Sequence, residues 1–104
     1  MDAHRAVKEL LAARPRPTAL YTGNIWITLG ALRAVRDAGL LIPTDLEIVG
    51  FDDIAVADLF PYPVSTVWQD VEAIGRESFR LLQKVMKGQK VPREVLIPPR
   101  LIVR

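Results

Sequence analysis

The sequence predicts an α/β protein in which a parallel sheet is flanked by helices, and three observations predict it. Segments with apolar residues at spacings of three and four alternate with short apolar or β-branched runs. The connections between those runs are helix-length, and a parallel crossover needs a dozen or more residues and usually takes a helix. The central run Leu46-Glu47-Ile48-Val49-Gly50-Phe51 ends in two carboxylates, Asp52 and Asp53, at the level where an open α/β sheet places its ligand crevice.

The chain opens with Ala3, Ala6, Val7, Leu10 and Leu11 at helical spacing, polar residues between them, and Pro15 and Pro17 ending the segment. Thr18 to Thr22 reads as a strand. Gly23-Asn24 turns the chain into a second helix with the stripe Ile25, Thr28, Leu32, Val35 and Gly39, leaves Arg33, Arg36 and Asp37 in water, and stops at Gly39. Pro43 and Asp45 lead into the central strand, and residues 54–63, with two prolines and no clear period, read as a loop with one helical turn. Val64 to Trp68 is a third strand. Asp70 then caps a helix whose buried stripe is Val71, Ile74, Ser78, Leu81, Leu82 and Val85, with Gly88 as its stop. Val95 to Ile97 and Leu101 to Val103 are extended around the Pro98-Pro99 break, and no repeat or low-complexity tract occurs. The expected result is a three-layer arrangement with right-handed crossovers.

Composition bounds the rest. The chain has 104 residues, 50% of them apolar, which describes one globular unit or a piece of one. Its 14 basic and 12 acidic residues are mixed along the chain, so the net charge of +2 gives no basic tract for DNA contact. Cysteine is absent, which excludes disulfides and thiolate metal sites. No run reaches the roughly 18 apolar residues of a membrane span. Met1-Asp2-Ala3-His4-Arg5 opens a polar helix and not a signal peptide, so the expected compartment is the cytoplasm, away from any membrane.

The topology gathers three strand ends, near Asn24, Asp52 and Gln69, along one edge of the sheet. An ionised Asp only accepts hydrogen bonds, two at once, whereas the amides of Asn and Gln both donate and accept. Adjacent sugar hydroxyls ask for that combination. Trp26, Trp68 and Val71 flank these positions, and an aromatic face with a polar rim suits the apolar side of a sugar or a nucleobase. Blander readings stand beside this one. Asn24 reads equally as a cap or turn former, and the two tryptophans read first as core or interface and second as a ligand platform. Of the two acids, one is expected to bind ligand and the other to cap the following turn.

Catalysis is not expected. Adjacent strand residues point to opposite faces, which argues against Asp52 and Asp53 acting on one bond as acid and base. A magnesium-binding phospho-acceptor site like that of response-regulator receivers would need a third Asp and a Lys on later strands, whereas Lys84, Lys87 and Lys90 fall on or just after the last helix. There is no nucleophile–base pair and no phosphate-cradling glycine loop, and His4 reads as exposed or capping. No metal and no cofactor are expected.

The string Ile42-Pro43-Thr44-Asp45-Leu46-Glu47-Ile48-Val49-Gly50-Phe51-Asp52-Asp53, followed by Pro63-Val64-Ser65-Thr66-Val67-Trp68-Gln69-Asp70, resembles the lactose-repressor (LacI/GalR) family of bacterial transcription regulators. Arg16-Pro17-Thr18-Ala19, Leu29-Gly30-Ala31-Leu32-Arg33-Ala34 and Pro98-Pro99-Arg100-Leu101-Ile102-Val103-Arg104 agree in order and spacing. The resemblance implies the C-terminal portion of a type I periplasmic-binding-protein-like effector domain, an incomplete two-lobe domain without the family's N-terminal helix-turn-helix. On it, residues 1–69 belong to the ligand-bearing lobe, and residues 70–104 form a crossover helix and C-terminal strands that complete the other lobe. Asp52 matches the family's ligand-binding aspartate, Asn24 its strand-end asparagine and Gln69 a cleft residue. Leu29 and Phe60 match dimer contacts, ordinary core packing being their alternative. The sequence departs from the family at Ile25, where many members carry Asp or Asn, and at Trp68, which is bulkier than usual.

The implied function is effector sensing and dimerisation in a LacI-type regulator. A small polar effector, sugar or related metabolite, is the expected ligand, a second copy the expected partner, and DNA is reached only through a domain absent from this chain. Two alternatives remain: a periplasmic sugar-binding protein of an uptake system, which would carry an export signal upstream, and a truncated remnant acting only as an interaction module through its exposed apolar faces.

Overall fold

The computed structural model describes residues 2–53 and 60–104. Its elements run α1 (Ala3–Ala12), β1 (Ala19–Thr22), α2 (Ile25–Asp37), β2 (Glu47–Phe51), β3 (Ser65–Trp68), α3 (Val71–Met86) and β4 (Arg100–Ile102). The expected loop falls at residues 54–63, of which 54–59 lie outside the described residues. Two compact units form, Met1–Trp68 with Leu101–Arg104, and Gln69–Arg100. The last four residues, expected with the crossover helix, return instead to the first unit.

In the first unit the strands order β1-β2-β3-β4 in one sheet. β1 pairs with β2 and β2 with β3, both in parallel, with Leu20 opposite Ile48 and Gly50 opposite Thr66. Alternation along β2 decides what each face does: Ile48 and Gly50 are buried, while Glu47 is exposed and Val49 and Phe51 are half-buried. The buried face meets α2, whose Ala31, Leu32, Ala34 and Val35 join Ile48, Leu46, Ile42 and Val64 in one core with Val7 and Leu11 of α1. The helix α1 packs on α2. Among the described residues the unit's helices, α1 and α2, lie on one face of the sheet, two of the three layers predicted from the sequence.

Helix limits follow local chemistry. Asp2 caps α1 by accepting the His4 N–H at 3.1 Å. Gly39 and Gly88 stop α2 and α3 with φ of 66° and 70°, a left-handed turn that costs glycine nothing. Ala3 seats directly on Gly30, where any side chain would collide with it. His4 corrects its sequence reading: it is neither free in water nor a cap. Its ring reaches across to α2, with Nε2 2.9 Å from an Asp37 carboxylate oxygen, and the same carboxylate holds Arg36. Asp37 stays on the exposed face as expected, and its carboxylate is engaged on both sides.

The second unit is α3 and the chain that follows it. Asp70 caps α3 as expected, accepting the Ala73 N–H at 2.8 Å. The expected stripe is present in pattern but not in burial, for no residue of α3 is buried and Val71, Leu82 and Val85 are all more than half exposed. Val95 to Ile97 form no strand. They line a hollow of about 250 Å³ with Ile74, Glu77, Ser78 and Leu81.

Candidate ligand-binding edge of the sheet

The strand register builds the site. Thr22 lies opposite Gly50 and Gly50 opposite Thr66, one row across three parallel strands. Two residues beyond that row come Asn24, Asp52 and Trp68. The first unit thus brings Asn24 and Asp52 to neighbouring strand ends at the carboxyl edge, the edge at which open parallel sheets bind ligands. Trp68, the last residue of β3, is half-buried there.

Asn24 does structural work: its Oδ1 accepts the Ile27 N–H at 2.9 Å and caps α2. The cap reading of the sequence therefore holds for one end of the side chain. Asp52 sits in a turn with φ of 68°, a left-handed conformation that Asp and Asn tolerate better than other residues with a Cβ. Its N–H continues the ladder to the Val67 carbonyl at 3.0 Å. Asp53 is employed differently. Its carboxylate receives the Thr66 hydroxyl at 2.6 Å and a two-pronged Arg104 guanidinium at 2.8 and 3.3 Å. Arg104 also donates to the Thr66 hydroxyl oxygen at 3.0 Å and to the Val64 carbonyl at 3.3 Å, and its N–H reaches Ser65 Oγ. The pair is 17% and 19% exposed, so water screens it little. The two acids are unequal: among the described residues Asp53 bonds Arg104 and Thr66, and the turn it was expected to cap lies outside the described residues.

Beneath this edge the only buried polar residues described are Thr22, Thr28 and Thr66. Thr22 and Thr28 share a hydrogen bond at 2.7 Å, and Thr28 returns its hydroxyl to the Asn24 carbonyl at 3.0 Å. Gly50 makes this possible, because a Cβ there would stand 3.1 Å from Thr28 Oγ1 and 3.3 Å from Thr66 Cγ2. Sequence reasoning placed Thr28 on the inward stripe of α2 but missed Thr22, Thr66 and Arg104. The one available signal was Gly50, since a glycine inside a strand marks close approach of another element.

The remaining candidates divide. Trp26, in the first turn of α2, is 76% exposed, which removes the core reading for it within this chain. Gln69 opens the second unit, its carbonyl accepting the Val71 N–H at 3.0 Å, and Val71 is exposed. Leu29 and Phe60 line a common hollow of about 230 Å³ with Leu32, Arg33, Arg36 and Tyr62. Among the described residues no group of His, Asp or Glu is arranged to hold a metal ion, and no helix is long and apolar enough to cross a membrane.

Residues 1–104 match the family model of the periplasmic binding protein-like domain. The chain belongs to this family. It is 32% identical to the HTH-type transcriptional repressor PurR of Escherichia fergusonii over 104 residues, which cover 99% of the chain and 30% of that repressor. A crystal structure of a regulatory protein of the LacI family from Chloroflexus aggregans superposes with a TM-score of 0.83 at 36% identity, over 98% of this chain and 37% of that one. The lac repressor dimer bound to operator and the anti-inducer ONPF gives 0.84 at 30% identity, over 98% and 31%. The relatives are transcriptional repressors and not enzymes, and this member of the family corresponds to part of a LacI/GalR-type effector domain. It spans about 30% of the length of the curated relatives it matches.

Proposed function

We propose that this chain is the ligand-sensing and dimer-forming part of a cytoplasmic LacI-type regulator, taking a small polar metabolite, a sugar or a close relative. The observation that carries the reading is the register, which brings Asn24 and Asp52 to adjacent strand ends at the carboxyl edge of the sheet. Asp52 accepts hydroxyl or amine protons from the ligand, and Asn24 offers it the Nδ2 amide while Oδ1 holds the helix. Gln69 contributes a further donor and acceptor, and Trp26, Trp68 and Val71 provide apolar cover. The opposite wall of the cleft comes from chain outside these residues.

The mechanism is linkage. A ligand that favours one geometry of the effector domain biases a dimer contacting DNA through a separate helix-turn-helix segment, and the bias cannot exceed the ligand's difference in affinity between the two states. Leu29 and Phe60, converging on one hollow, support the dimer face. The test is Asp52→Asn in the full-length protein, because Asn keeps the left-handed turn while removing the charge. Operator binding is expected to persist, and the shift in operator affinity on adding sugars and nucleobases from a panel is expected to vanish. An unchanged shift for the variant would overturn the assignment.

A further inference from the structure

We infer that Arg104 and Thr66 are positioning residues for Asp52, acting through Asp53; the functional meaning of this clamp rests on the proposed role of Asp52 in binding. The turn at Asp52 is held on its amino side by the ladder bond from its N–H to Val67. On its carboxyl side the next residue, Asp53, has its carboxylate fixed by two groups from separate parts of the chain, the Thr66 hydroxyl and the Arg104 guanidinium. These two also bond each other, so the three side chains close a triangle with edges of 2.6, 2.8 and 3.0 Å. Thr66 is 2% exposed and stands in the row directly beneath the edge. A left-handed residue with a Cβ persists when its surroundings over-determine it. Here the strand on one side and the clamp on the other leave Asp52 little freedom to relax into extended backbone. Planar, bidentate contact is also what a guanidinium supplies and an ammonium does not.

The clamp makes a local prediction that a general stabilising role does not. Hydrogen exchange of single amides in the full-length protein, read by mass spectrometry with electron-transfer fragmentation, compares the Asp52 amide with that of Glu47, which bonds Thr18 at the other end of β2. Thr66→Val keeps the shape and deletes the hydroxyl, and Thr66→Ser keeps the hydroxyl. Thr66→Val and Arg104→Gln are expected to speed exchange at Asp52 by about tenfold or more while leaving Glu47 unchanged, and Thr66→Ser is expected to behave as the wild type. Equal acceleration at both amides, or none at Asp52 in folded Thr66→Val, would overturn the inference. If Arg104→Gln does not fold, the two threonine variants still decide. No ligand enters the measurement, so its failure leaves the binding role of Asp52 standing, and loss of that role leaves the clamp standing.

Discussion

At the scale of single residues, the motif Gly50-Phe51-Asp52-Asp53 separates into distinct duties. Gly50 lets α2 approach β2, Asp52 makes the turn, and Asp53 ties the turn to Arg104. Gly50→Ala pushes a methyl group against Thr28 and Thr66, both of them buried and hydrogen-bonded. The expected cost is about 1–3 kcal/mol, seen as a lower urea midpoint with an unchanged slope, and a midpoint equal to wild type would mean that α2 can give. Strand alternation does not reach the two acids, since β2 ends at Phe51 and Asp52 is already in the turn, but their inequality was legible in the sequence, where one was read as a ligand contact and the other as a cap. The partner of Asp53 was not, since Arg104 lies 51 residues away and nothing in local pattern reports so distant a pairing. Asn24 shows the same limit in milder form: the sequence offered cap and ligand contact as rivals, and the cap occupies only one end of its amide.

At the scale of elements, α1 and α2 are joined by apolar packing and by one polar contact between His4 and Asp37. An acid in the last turn of a helix opposes the helix dipole, so Asp37 gains from a partner there. Its hydrogen bond to His4, then that to Arg36, holds its carboxyl below the ordinary 3.8. A carboxyl lowered on folding contributes stability above its unfolded value and loses it as pH falls through its folded one. Asp37→Asn is therefore expected to lower the melting temperature at neutral pH, with the difference from wild type shrinking as the pH drops below the ordinary carboxylate range. A difference that persists undiminished in acid would assign the effect to packing. Helix and strand order was readable from periodicity, and the limits moved by only a residue or so. The helical stripe of α1 was read with Leu10 inside, yet Leu10 is exposed and borders a hollow of about 310 Å³ beside Leu20 and Tyr21. Periodicity marks a face but does not say what lies against it.

At the scale of the whole molecule, apolar surface is left over. The α3 stripe has the periodicity of a buried face, and Val71, Leu82, Val85 and Met86 lie open in this chain. Expressed as these 104 residues, the chain is expected to bind a hydrophobic dye and to self-associate. Leu82→Glu with Val85→Lys is expected to reduce both, and an unaffected dye signal would place the sticky surface elsewhere. The fold class was legible because alternating helical and β-rich segments admit few arrangements. The resemblance placed a division after residue 69, within one residue of that between the two units, but not the return of Leu101–Arg104 to a sheet begun some eighty residues earlier, which no local pattern reports. That return matters during synthesis. α1, β1, α2, β2 and β3 can all leave the ribosome while the sheet is still one strand short and Asp53 still awaits the Arg104 guanidinium, so this unit is completed only once residues 101–104 have emerged.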